Sequence, residues 1–312
     1  MEEPIERAGK QARPPEQGPA AGGLPARLAG MHSAYRDLDA SAAARHYLKR
    51  MHRMKAAALL GEVLCLAALV WGGLLGGAGR YWLVLELACL GAALAISLSF
   101  RRRLGQLYAG LPGMALLDGQ PGKYRAVAQA LALRDRLGRS RGVLQAEIAT
   151  ALYYEGRPAD ALALLGQVRL RRGHTYWVRV YNVAALCCSD LGDEPGRRQA
   201  MENLQALTAA ARPGSSRRAA LERLTAQLQL RFAAGRWTPA QEALALAWRE
   251  EAPTPQAWAG WTLELACRAA GCGRAADARA YLAQLDAAAL PLMPCYLHRA
   301  AGLRRALVQP GG

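Results

Sequence analysis

The sequence predicts an all-α protein: a transmembrane helical hairpin followed by a helical-repeat domain. Three observations carry this. Two long apolar runs lie near the N-terminus, glycine and proline cut an Ala-, Leu- and Arg-rich remainder into short segments, and one turn pattern recurs along that remainder.

The first run, 56–76, holds 21 residues with Glu62 as its single charge; the second, 81–100, holds 20 with Glu86. At about 1.5 Å per residue each reaches roughly 30 Å, the thickness of a bilayer's hydrocarbon core. Neither run has the polar face of a soluble amphipathic helix. Base flanks the pair on its outer sides: Arg45, Lys49, Arg50, Arg53 and Lys55 before it, Arg101, Arg102 and Arg103 after it. Between the runs Arg80 stands alone. That asymmetry predicts a multi-pass protein of the cell membrane with both termini cytoplasmic. A cleaved signal peptide does not fit, because the first run begins after 55 residues and exceeds the length of a signal core. Small residues (Ala68, Gly72 and Gly76 on one run, Ala88 and Ala92 on the other) form stripes suited to close helix packing. Glu62 and Glu86 enter from opposite ends, which argues against a carboxylate pair within the hairpin.

Residues 1–30 are rich in Pro, Gly, Ala and charge without a periodic apolar face, and are expected to be disordered. Residues 31–55 read as a basic juxtamembrane segment, helical from Asp39, that continues into the first span.

From 104 to 312 the helix formers Ala, Leu and Arg dominate. Turn signals such as DGQPG at 118, EGRP at 155, LGDEPG at 191 and APTP at 252 divide the region into helices of roughly 12 to 18 residues. A glycine followed five residues later by Ala, and four after that by Leu, occurs three times: Gly156, Ala161, Leu165; Gly235, Ala240, Leu244; Gly273, Ala278, Leu282. A fourth copy at Gly192 has Arg197 in the Ala position. Successive glycines are 36, 43 and 38 residues apart. This pattern resembles the tetratricopeptide repeat, a helix–turn–helix unit in which small residues sit where paired helices cross. The pairs Ile148–Ala149 and Leu265–Ala266 match its large-then-small pattern. The resemblance implies a cytoplasmic α-solenoid of about four units. It also implies a groove lined by the first helix of each pair, with Thr150, Tyr153, Tyr154, Arg179 and Asn182 as groove-facing binding residues. Arg can grip a carboxylate bidentately and an Asn amide can hold a peptide backbone, so the expected ligand is an acidic protein segment.

No phosphate-binding, dinucleotide, zinc-protease or nucleophile-elbow motif is present, so no catalytic residue, cofactor or metal is expected. The seven cysteines suit core packing in a reducing compartment, and Cys267, Cys272, Cys295 and His298 do not form a paired ligand motif. Tyr153–Tyr154 and Trp258 with Trp261 read as wedges between repeats or as peptide anchors. The expected function is thus a membrane-anchored, non-enzymatic interaction scaffold. The alternative is a membrane-tethered nucleic-acid-binding or regulatory helical domain. That would need the net +10 of residues 104–312 (26 basic, 16 acidic) to gather into a stripe.

Overall fold

The structure, a computed structural model, describes residues 23–75, 80–135, 138, 140–233 and 237–308. Every regular element among them is helical. α1 (Ala40–Leu75) runs from the basic segment through the first apolar run without a break, and α2 (Arg80–Ala109) returns antiparallel to it. The Asp39 carboxylate starts α1 by accepting the Ala42 amide and the Ser41 hydroxyl, and these bonds hold its carboxyl below the ordinary range.

The two helices meet along a narrow seam. Gly61 lies under Ile96, where a methyl group would stand 2.8 Å from the isoleucine Cδ1. Ala58, Cys65 and Leu69 of α1, with Cys89, Ala93 and Phe100 of α2, extend it. Of the expected stripes, Ala68, Ala88 and Ala92 face outwards, and Gly76 lies outside the described residues. Large Ile and Phe side chains fill the space beside the small ones, so the helix pair is set by Gly61 rather than by an alanine stripe. Leu64, Leu66, Leu87 and Leu90 are exposed, and Leu74 is 78% exposed. Both helices are long and apolar enough to cross a membrane.

Neither helix stops at the end of its apolar run. Ala43, Tyr47 and Met51 of α1 and Leu107 and Tyr108 of α2 are buried in one core with Leu111, Met114, Tyr124 and Leu131. The expected headgroup-facing helix therefore carries a second face that belongs to the helical domain. No linker separates hairpin from domain.

The domain continues as α3 (Gly113–Leu116), α4 (Pro121–Arg134), α5 (Arg141–Tyr154), α6 (Pro158–Leu165), α7 (Trp177–Leu191), α8 (Glu194–Ala209) and α9 (Ser216–Phe232). It ends in α10 (Pro239–Glu250), α11 (Pro255–Gly271), α12 (Ala275–Ala287) and α13 (Pro294–Val308). Proline occupies the first turn of α4, α6, α8, α10 and α11, where its missing N–H costs nothing. Gly156, Gly192 and Gly273 end α5, α7 and α11 in the left-handed region. From α4 to α9, and again from α10 to α12, each helix packs against the next in the chain.

Two copies of the recurring turn behave alike: Ala161 and Leu165, and Ala278 and Leu282, are buried. The third does not. Gly235 lies outside the described residues, Ala240 and Leu244 are exposed, and Ala245 and Trp248 are buried instead. The cause is a later helix start. Trp237 is buried and donates to the Leu230 carbonyl, and Thr238 then forms a capping box with Gln241, so α10 begins only at Pro239.

The array closes on itself. α13 packs against α11, α12 and α5, while α3 meets α11. Gly119 (φ 64°) makes the closure tight: a Cβ there would sit 1.7 Å from the Pro291 carbonyl oxygen. The Gln256 amide bridges the same loop, donating to Pro291 O at 2.8 Å and accepting the Met293 amide at 3.3 Å.

Residues 23–30 are not disordered as expected, while 1–22 lie outside the described residues. Leu28 is 1% exposed among Leu230, Trp237, Trp248 and Trp258. Arg27 donates to the Ala252 and Glu250 carbonyls, Ser33 bonds Asp118 through both its amide and its hydroxyl, and Lys123 Nζ donates to the Tyr35 and Arg36 carbonyls. Leu28, with Leu24 packed beside it, and a few polar bonds thus seat a segment whose composition alone reads as coil. Leu28→Ala should destabilise the protein by about 2–5 kcal/mol, the usual cost of a buried Leu truncation. A melt of the variant in detergent that matches the parent would show that the segment is not docked.

Candidate binding cleft

α5, α7, α9, α11 and α13 share the inner face of the array. Between them lies a cavity of about 220 Å³, lined by Tyr153, Tyr154, Asn182, Gln227, Trp261 and Tyr296, with Arg231 also in its wall. Tyr153, Tyr154 and Asn182, three of the five expected binding residues, are brought together here.

The other two are engaged elsewhere. Thr150 is buried, with its hydroxyl donating 2.7 Å to the Ala146 carbonyl. Arg179 donates 2.9 Å to Glu147 Oε2, and its side chain is only 32% exposed. Glu147 is fully buried on α5, and the Tyr124 hydroxyl donates to the same oxygen. Burial alone would lower the Arg179 pKa, but the Glu147 carboxylate and the phenols of Tyr124, Tyr154 and Tyr176 outweigh it and raise the value. Arg179 therefore joins α7 to α5 and α4, the role that sequence spacing assigned to a ligand contact.

A second polar cluster underlies the cavity. Glu264, 4% exposed, accepts from Arg299 Nη2 at 2.9 Å, with Arg231 Nε at 3.6 Å and Arg268 Nε at 3.8 Å. Asp190 is the other carboxylate near it. Burial pushes the Asp190 carboxyl above its ordinary range, opposed by Arg299, Arg231 and a hydrogen bond from Tyr153. Three guanidinium groups around two carboxylates leave an excess of positive charge beneath the cavity. Burial raises the pKa of the Tyr153, Tyr154 and Tyr296 phenols, so they remain neutral donors.

Asn182 and Gln227 differ from these groups. Each lines the cavity, is half-buried, and bonds no protein group with its amide among the described residues. Gln227, Arg231 and Tyr296 were not found from sequence. Gln227 and Arg231 lie on α9, and Tyr296 reaches them only because α13 lies on the inner face, of which the turn pattern carries no sign. Of the two tryptophans, Trp258 is buried under Arg249 as packing, whereas Trp261 packs on Trp248 with ring centroids 5.3 Å apart and lines the cavity.

All the described cysteines are free thiols. Burial, reinforced by Asp190, pushes Cys187 and Cys295 up to about 12, which makes them unreactive packing groups. Among the described residues no group of three or more His, Cys, Asp or Glu could hold a metal ion. No family model, no curated protein and no solved structure matches this chain.

Removing Arg179 should lower stability rather than merely empty a contact. Arg179→Ala strands the buried Glu147 charge, a loss of about 3 kcal/mol or more. Glu147→Gln, which removes that charge while keeping an acceptor for Tyr124, should cost less. A thermal melt in which Arg179→Ala equals the parent would contradict the assigned role.

Proposed function

We propose that the chain is a membrane-anchored, non-enzymatic interaction module. In this reading α1 and α2 are its two spans, both termini are cytoplasmic, and a tetratricopeptide-like array presents one side chain or chain end of an acidic partner peptide to the inner cavity. The observation that carries it is the pair of uncommitted amides, Asn182 and Gln227, set among Tyr154, Trp261 and Tyr296 above the Arg231–Glu264–Arg299 cluster.

Size and charge both favour a peptide anchor. At about 220 Å³ the cavity is smaller than the roughly 300–1,000 Å³ that encloses a cofactor or drug-sized ligand. Two free amides can pair with a peptide backbone, rigid aromatic walls supply apolar contact, and the positive excess below favours a carboxylate. Nucleic acid is less well served. Many surface arginines are spent on neighbouring acids: Arg157 on Asp160, Arg218 on Glu222, Arg223 on Glu251 and Arg274 on Glu242. They do not form the stripe that phosphate tracking requires.

The test is a photo-crosslinking residue at Leu224, which lines the cavity beside the two amides, in the full chain in its native membrane. It should trap a protein partner. Asn182→Ala removes hydrogen bonds with a net worth of about 0.5–1.5 kcal/mol each, so binding should fall roughly five- to a hundred-fold. Adducts unaffected by Asn182→Ala, or none at all from Leu224, would remove the cavity as the binding site.

A further inference from the structure

A larger cleft, about 1300 Å³, lies where the hairpin enters the domain. One wall is α2, through Ser97, Phe100 and Leu104. The opposite wall is the start of α5 and the loop joining α6 to α7, which contribute Arg141, Arg169, Arg171 and His174. Gly142 brings these two pieces of basic chain together: a Cβ there would stand 2.3 Å from the Arg169 carbonyl oxygen. The loop is held in place. Trp177 Nε1 donates to the Arg171 carbonyl at 3.1 Å, and His174 Nδ1 accepts the Tyr176 amide at 3.2 Å.

The three arginines are exposed and pair with no carboxylate among the described residues, unlike Arg157, Arg218, Arg223 and Arg274. Glu62 is the acid of this lining, on the hairpin side. If α1 and α2 are spans, as proposed above, Ser97 lies roughly 5 Å inside the hydrocarbon boundary. The cleft then has a hairpin wall at acyl-chain depth, in which Phe100 and Leu104 stand beside Ser97 and Glu62, and a cationic wall at headgroup depth. A second cleft, about 610 Å³ and lined by Lys55 and Arg134 together with Glu62 and Asp135, adjoins it across Phe100 and Leu104.

We propose that this cleft seats the headgroup of an anionic phospholipid. Arg141, Arg169 and Arg171 receive the phosphate and its neighbouring oxygens, and the acyl chains run along Phe100, Leu104 and the outward leucines of the hairpin. Arginine suits the role because its planar fork meets phosphate bidentately and stays charged at every physiological pH. Such a lipid would hold the array at one orientation to the bilayer, with the peptide cavity at a fixed height.

The test uses the full chain in mixed micelles titrated with phosphatidylglycerol or phosphatidylcholine, with bound lipid read by native mass spectrometry. Phosphatidylglycerol should bind more tightly. At roughly fivefold per basic residue near an anionic surface, the variant Arg141→Gln/Arg169→Gln/Arg171→Gln should lose about a hundredfold. The variant Arg212→Gln/Arg217→Gln/Arg305→Gln, equal in charge and exposed elsewhere, should stay within about twofold of the parent. Should the first triple variant melt early, Arg171→Gln alone carries the test with an expected loss of roughly fivefold. Equal retention of the two lipids, equal losses in both triple variants, or displacement by about 10 mM inorganic phosphate would overturn the lipid site. A reporter fused after Gly79 separates the two readings: a cytoplasmic result overturns the spans themselves, whereas a translocated result without lipid preference overturns this proposal alone.

Discussion

The carboxylate of Glu264 holds the inner face of the domain together. Arg299 comes to it from α13, Arg231 from α9 and Arg268 from its own helix, α11. A carboxylate this deeply buried is costly unless it is paired and hydrogen-bonded, and the arginines that satisfy it arrive from different parts of the chain. The cluster therefore demands that α13 lie inside the array. With α13 in place, Tyr296 rests against Gly260, where a Cβ would be 2.7 Å from its hydroxyl, and His298 rests against Gly156. What would have been an open groove is reduced to a cavity of about 220 Å³.

Closure of the array also fixes the hairpin. The loop through Asp118 and Gly119 meets Pro291 on one side and Ser33 on the other, so the residues leading into α1 are tied to the chain that leads into α13. Tyr47, Met51, Leu107 and Tyr108 then bury the hairpin's base in the same core as α4 and α5. On the membrane reading, the anchor is a rigid continuation of the domain and not a tether. Orientation is consequently built into the fold, and a basic cleft at that junction is positioned by the core itself.

The parts legible in the sequence are those decided by local composition. Two runs of about twenty apolar residues announce long apolar helices whatever their neighbours, and Gly156, Gly192 and Gly273 end helices because a left-handed residue is needed there. Tyr154 and Asn182 could be placed on an inner face by counting back from those turns. The remainder depends on distant pairings. Arg179 could not be told from a ligand contact, because its partner Glu147 lies 32 residues away on another helix. Leu28 sits in a Pro- and Gly-rich stretch, and only the tryptophans it meets more than 200 residues later make it a core residue. The α10 register slipped because Trp237 is buried before the helix begins, a tertiary effect that a glycine-to-alanine spacing cannot carry.

α13 fills the inner face and is locked there by Glu264. Hydrogen exchange along α13 of the intact protein tests it most directly. Exchange across residues 296–303 should be slow, close to that of α11, with a marked, selective loss of that protection in Glu264→Ala. Exchange in α13 as fast as that of an exposed helix, or protection that Glu264→Ala leaves unchanged, would contradict it.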